Sequence, residues 1–177
     1  VTTSTSGSYG EHLEQARDQV VRCGVVTVSD TRTEETDASG TLIRSLLGES
    51  GHSVERYRIV KDDPEAIRAE ISGALSSVDV VILNGGTGIA RRDNTVDVVE
   101  SLLDKRLPGF GEIFRMLSFD EIGSGAILSR ATAGVAGSTL LFSVPGSPNA
   151  VALAMRRLIV PELEHLVWEL VGRHRTG

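Results

Sequence analysis

Apolar residues fall along this chain in short runs divided by polar turns, and their spacing switches repeatedly between that of a strand and that of a helix. Cys23 to Val28 is an apolar run of strand length that ends at Ser29-Asp30-Thr31. A polar loop follows to Asp37. Asp37-Ala38-Ser39-Gly40 then leads into Leu42, Ile43, Leu46 and Leu47, which predicts a helix that Gly51 is placed to stop. Val54 to Val60 alternates as a second strand. Asp63-Pro64 is a strong helix start, an acid that caps and a proline at the first helical position. Ile67, Ile71, Ala74 and Leu75 give that helix one apolar face. Asp79 to Leu83 is a third strand, apolar enough to be buried on both faces. Thr95 to Leu103 reads as a helix.

Pro108-Gly109-Phe110-Gly111 opens a less regular region. Ala131 to Gly137 and Thr139 to Val144 are two further strands about Gly137-Ser138, and Pro145-Gly146-Ser147-Pro148 ends the second. Val151 to Leu158 is a helix. Pro161 opens another, with a stripe of Ile159, Leu163, Leu166 and Leu170, and Trp168 serves packing. Strands alternating with helices predict an α/β fold of three layers, a mostly parallel central sheet with helices on both faces. No repeat or linker divides the chain, so residues 21–177 form one domain.

Composition narrows the picture. Of 177 residues, 40% are hydrophobic but only 4% aromatic, so the core is built of Val, Leu, Ile and Ala. A net charge of −6 argues against a nonspecific nucleic-acid binder. Cys23 is the only cysteine, which rules out an intrachain disulfide and a thiolate-rich metal site. The four histidines show no metal-ligand spacing. No stretch approaches the roughly 20 apolar residues of a membrane span. Val1 to Gly10 has neither the basic start nor the apolar segment of a secretory signal. Residues 1–20 are expected to form a flexible extension, with an accessory helix over Glu11 to Gln19, on a cytoplasmic protein.

In an open α/β sheet, ligands bind beyond the carboxyl ends of the strands. Four polar segments lie at such ends: Ser29-Asp30-Thr31, Lys61-Asp62-Asp63, Asn84 to Gly88, and Pro145 to Pro148. The glycines of Asn84-Gly85-Gly86-Thr87-Gly88 permit a sharp turn, and free backbone N–H groups there suit a phosphate. Mg²⁺ favours one or two carboxylates together with phosphate oxygens, which Asp62 and Asp93 on one rim would supply. Arg91, Arg92 and Arg130 are candidates to balance anionic charge. The competing reading is a tight turn beside a solvated charge cluster. The loop lacks the Gly-Lys-Ser/Thr ending of a P-loop and the GxGxxG spacing of a dinucleotide fold. No serine has a nucleophile-elbow context.

Taken in order, these segments resemble the molybdopterin adenylyltransferases (Mog) and related MoaB proteins of molybdenum cofactor biosynthesis. The matching pieces are T-V-S-D-T at Thr27 to Thr31, D-A-S-G at Asp37 to Gly40, V-K-D-D at Val60 to Asp63, and G-G-T-G-I-A-R-R-D-N-T at Gly85 to Thr95. P-G-F-G-E at Pro108 to Glu112, A-I-L-S-R at Ala126 to Arg130, and P-G-S-P-N-A at Pro145 to Ala150 complete the series.

The resemblance implies the molybdopterin-binding fold, trimeric or hexameric assembly, and Mg²⁺-dependent transfer of AMP from ATP to molybdopterin with release of pyrophosphate. It implies Asp62 and Asp93 as the catalytic, Mg²⁺-linked aspartates and Gly85, Gly86, Thr87 and Gly88 as the phosphate loop. Ser129 and Arg130 fall on the segment linked to pterin, and Pro145, Gly146, Ser147 and Pro148 on a nucleotide-site loop. Ser29, Asp30, Asp37, Gly40 and Arg92 join the expected substrate and nucleotide contacts. The alternatives are a noncatalytic molybdopterin-binding MoaB-type protein of the same pathway and a binding module of a larger assembly. Asn84 stands where many members have Thr, Lys61 where Pro is common, and Ser143 where Asn is often found.

Overall fold

The computed structural model describes residues 19–171. Residues 1–18, which carry most of the expected extension and accessory helix, lie outside the described residues. Strand β1 is Arg22–Val28, β2 Ser53–Val60, β3 Val80–Asn84, β4 Lys105–Arg106, β5 Thr132–Ala136 and β6 Thr139–Val144. Helix α1 is Ala38–Glu49, α2 Pro64–Ala74, α3 Thr95–Leu102, α4 Pro108–Ile122, α5 Pro148–Ala154 and α6 Val160–Val171.

One six-stranded sheet runs in the order β2-β1-β3-β6-β5-β4. β1 pairs in parallel with both β2 and β3, and β3 in parallel with β6. The central strands β1, β3 and β6 are buried along almost their whole length, as their unbroken apolar runs require. Alternate side chains feed two cores. Val25, Ile82 and Phe142 face α1, α5 and α6 on one side, whereas Val26, Leu83 and Leu141 face α2 and α3 on the other. The expected three-layer α/β architecture is therefore present. Among the described residues no helix is long and apolar enough to cross a membrane.

Two expectations need correction. The region after Pro108 is not irregular: Pro108 occupies the first turn of a 15-residue helix, α4. The helix escapes a periodicity test because Ile113, Met116, Phe119 and Ile122 lie on its exposed side. Pro161 does not open a new helix either. A π-turn over Met155–Ile159 joins α5 to α6, with Val160 N–H donating to the Met155 carbonyl. Proline has no N–H and its ring crowds the carbonyl four residues before it, so the widened turn lets the helix pass through Pro161. β5 and β6 form the predicted pair about Gly137, and their short connection makes them antiparallel.

Because β1, β2, β3 and β6 point the same way, their four terminal segments meet on one rim of the sheet. Asp37 and Asp63 fix the helices that flank it. Asp37 caps α1 by accepting from Gly40 N–H at 2.9 Å, and Asp63 caps α2 by accepting from Ala66 N–H at 2.9 Å.

Candidate active site

The glycine loop leaves β3 through two residues of positive φ, Gly85 at 96° and Gly86 at 61°. Neither has room for a side chain. A Cβ on Gly85 would collide with the Val28 carbonyl oxygen, and one on Gly86 with the Thr95 hydroxyl. The two aspartates back onto the same loop. A Cβ on Gly86 would also lie 2.6 Å from Asp62 Oδ2, and a Cβ on Gly88 would lie 2.6 Å from Asp93 Oδ2. Asp62 and Asp93, far apart in sequence, are thus brought to the glycines on either side of Thr87.

Backbone donors hold both carboxylates. Asp62 Oδ1 accepts from Asn94 N–H at 3.1 Å, and Asp93 Oδ2 accepts from Ala90 N–H at 2.8 Å. Asp62 N–H donates to Asp30 Oδ1 at 3.2 Å, which places the β1 terminus against the β2 terminus. Burial pushes the Asp62 carboxyl above its ordinary range. The Asn94 N–H opposes that rise, and repulsion from Asp93 and then Asp30 adds to it. No ion pair with a described residue relieves either Asp62 or Asp93.

This donor set suits a particular ion. Among the described residues no group of three or more His, Cys, Asp or Glu is arranged to hold a metal. Two carboxylates in mutual repulsion beside a phosphate-type loop do fit Mg²⁺, which takes few protein ligands and completes its shell with water and phosphate oxygens.

Arg130 braces the loop. Its Nε donates to the Thr87 carbonyl at 3.2 Å, its Nη2 to the Asp93 carbonyl at 2.8 Å, and its Nη1 pairs with Asp97 at 3.1 Å. The guanidinium is thus committed to protein groups rather than held open for an anion. Ser129 stands beside it with a buried hydroxyl that has no hydrogen-bond partner among the described residues. Next to Arg130, a cleft of 340 Å³ opens between α3, α4 and β5, lined by Asp97, Glu100, Arg106, Arg115 and Arg130 among others. Arg92 is exposed beside the loop.

Several expected contact residues have structural work. Asp37 is buried, and besides Gly40 N–H its carboxylate accepts from Thr27 Oγ1, from Tyr57 OH at 2.8 Å and from Arg32 Nη1 at 3.4 Å. Gly40 is required because a Cβ there would press on Asp37, Thr27 and Tyr57. Ser29 Oγ accepts from Thr31 N–H at 3.2 Å and Arg32 N–H at 3.1 Å, shaping its own turn. Ser147 caps α5 by accepting from Ala150 N–H at 3.2 Å, and Pro148 is that helix's first residue. Asn84 turns inward and is buried, with Nδ2 donating to Thr27 Oγ1 at 2.8 Å. Its place is therefore beneath the crevice. Arg32 and Ser39, which the sequence did not single out, both donate to the Gly146 carbonyl. Their partner lies more than a hundred residues away, so no local signal marks them.

The arrangement gathers a glycine loop and two carboxylates on one rim of the sheet. A model of the probable molybdopterin binding domain matches residues 24–165. The chain belongs to this MoaB/Mog family. Among its relatives, molybdenum cofactor biosynthesis protein B of Bacillus subtilis (strain 168) is 57% identical over 166 residues, covering 92% of this chain and 97% of the relative. The family fold also superposes on a crystal structure of a molybdenum cofactor biosynthesis protein B, with a TM-score of 0.84, 55% identity, and 89% and 98% of the two chains covered. A tungsten cofactor synthesizing MoaB from Pyrococcus furiosus matches with a TM-score of 0.77 and 38% identity over 86% of this chain and 98% of its own. The family match spans all four rim segments, from β1 to α6.

Proposed function

We propose that this protein acts in molybdenum cofactor biosynthesis and transfers AMP from ATP to the terminal phosphate of molybdopterin. The observation that carries the proposal is the pairing of Asp62 and Asp93 across Gly86 and Gly88. A phosphate oxygen of molybdopterin attacks the α-phosphorus of ATP in line. The bond from that phosphorus to the bridging oxygen breaks, and pyrophosphate leaves with the electron pair. Such a reaction rests on positioning and charge stabilisation more than on covalent help from the protein.

Each wall has its part. The N–H groups of Gly86, Thr87 and Gly88 and the positive end of α3 favour phosphate oxygens, the Gly85 N–H being already given to the Val144 carbonyl, and Arg92 adds positive charge. Asp62 and Asp93 hold Mg²⁺, which when bound offsets the negative charge of the triphosphate. Pro145 to Pro148 line the nucleotide side. Ser129 and the cleft beside Arg130 receive the pterin, whose ring edges carry both donors and acceptors and suit a lining of alternating acids and arginines.

The exposed apolar side of α4 and the turn after it supply the surface for assembly into trimers or hexamers. Met116, Phe119, Ile122, Ile127 and Leu128 are all more than half exposed, more than a soluble monomer commonly leaves in one stretch. The cytoplasm, where ATP and Mg²⁺ are plentiful, is the compartment this chemistry requires.

Purified protein incubated with molybdopterin, ATP and Mg²⁺ should yield adenylyl-molybdopterin and pyrophosphate. Absence of product where an active Mog enzyme produces it would leave a molybdopterin-binding protein without turnover.

A further inference from the structure

The Gly146 carbonyl accepts two hydrogen bonds from the far side of the rim. Arg32 Nη2 donates at 2.9 Å and Ser39 Oγ at 2.8 Å. The same guanidinium reaches Asp37 Oδ1 through Nη1 at 3.4 Å. Asp37 is itself buried and bonded to Gly40, Thr27 and Tyr57. On its other side Gly146 lies against the glycine loop: a Cβ there would be 2.9 Å from Gly85 Cα and 3.3 Å from Gly85 N. A line of contact therefore runs from the α1 cap through Arg32 to Gly146 and on to Gly85.

We propose that Arg32, seconded by Ser39, is a positioning residue that clamps the Pro145–Pro148 loop onto the glycine loop and so sets the affinity for the nucleotide triphosphate. The inference rests on the adenylyl-transfer reading, which makes these loops the two walls of the nucleotide site. The planar fork of arginine can serve a carboxylate and a carbonyl at once, whereas a lysine ammonium serves them poorly together. Arg32 keeps 29% of its side-chain surface exposed and Asp37 none, so the arginine is the removable half of the pair. Loss of Arg32 frees the loop without stripping Asp37 of its other three partners.

The test compares the wild type with R32A, R32K and S39A by hydrogen exchange over residues 145–150, calorimetric binding of MgATP and of molybdopterin, and thermal melting. R32A should exchange faster in that segment and bind MgATP about tenfold more weakly, the loss expected of one charge-assisted hydrogen bond. Its molybdopterin affinity should stay within about twofold and its melting temperature within a few degrees of wild type, with R32K between the two in MgATP affinity. Unchanged exchange, unchanged MgATP affinity, or an equal loss of molybdopterin affinity in R32A would overturn the clamp. A wild type that binds molybdopterin but not MgATP would overturn the adenylyl-transfer reading and the clamp with it, a pattern distinct from a binding wild type and an indifferent R32A.

Discussion

Asn94 grips Asp62 in two places: its backbone N–H donates to the Asp62 carboxylate at 3.1 Å, and its side-chain Nδ2 donates to the Asp62 backbone carbonyl at 3.4 Å. Asn94 directly follows Asp93 and directly precedes α3. The grip thus carries the β2–α2 connection to the start of α3, and with it one aspartate to the other. Their closeness is a product of backbone clasping and not of attraction between the side chains, which repel.

Replacing either carboxylate by its amide keeps shape and most hydrogen bonding while removing charge. D62N and D93N should each lower product formation by at least about 100-fold, the scale seen when one preorganised electrostatic group is lost. Their melting temperatures should stay close to wild type. Near-normal turnover of D93N would remove it from the machinery.

Acidity gives a separate handle on the same pair. The folded pKa of Asp62 is raised, chiefly by burial, with Asp93 and Asp30 adding repulsion. Between the ordinary aspartate value of about 3.9 and the raised folded value, the native state holds more protons than the unfolded chain, so this group's contribution to stability falls as pH rises through that window. In a ¹³C NMR titration Asp62 should protonate above about 3.9, and D93N should move its midpoint downward. An unmoved midpoint would mean that the two carboxylates do not sense one another.

Asp37 has the opposite sign. Burial alone would raise its pKa, but the bonds from Gly40, Thr27 and Tyr57 and the charge of Arg32 outweigh burial and lower it. The stability it confers is complete above the unfolded value of about 3.9 and is lost as pH falls through its lowered folded value. Wild type should therefore lose melting temperature in acid more steeply than D37N, which should be less stable at neutral pH. Tyr57→Phe removes one of the bonds and should cost about 1 kcal/mol in a denaturant melt.

The glycine loop can be tested through stability as well as turnover. Gly85 combines a φ of 96° with the Val28 carbonyl where a Cβ would sit, and that carbonyl belongs to a central strand that cannot give way. Gly85→Ala should destabilise by about 1–3 kcal/mol and abolish nucleotide binding. Gly48, inside α1 with nothing within 4 Å of where a Cβ would sit, is the matched control. Gly48→Ala should stabilise by about 0.5–1 kcal/mol, because alanine gives up less backbone freedom on folding.

The elements with strong local chemistry were legible in the sequence. Asp63-Pro64 announces α2, Gly51 stops α1 with a φ of 82°, and the apolar run before Asn84 is a strand buried on both faces. The rim segments were legible too, because parallel strands must place their ends together. What escaped depends on contacts distant in sequence. α4 carries apolar residues on its exposed side as well as its packed one, which blurs its period, and the π-turn that lets the chain pass Pro161 has no signature of its own. Asn84 reads as the first residue of the rim loop, but its amide turns in to Thr27, a choice made by the neighbouring strand. Arg130 reads as an anion receptor, yet two backbone carbonyls and Asp97 already occupy it.

The antiparallel course of β5 has a consequence for how such a site diversifies. A strand that runs against its neighbours delivers its beginning to the rim, so Ser129 and Arg130 arrive at the crevice before β5 starts while every other wall follows a strand. The other rim segments are then tied to strand ends that the core fixes. The Ser129–Arg130 segment hangs instead from the short turn after α4, whose Gly123, Ser124 and Gly125 stand clear of the buried core. Selection can reshape that segment and leave the strand-borne part of the rim untouched.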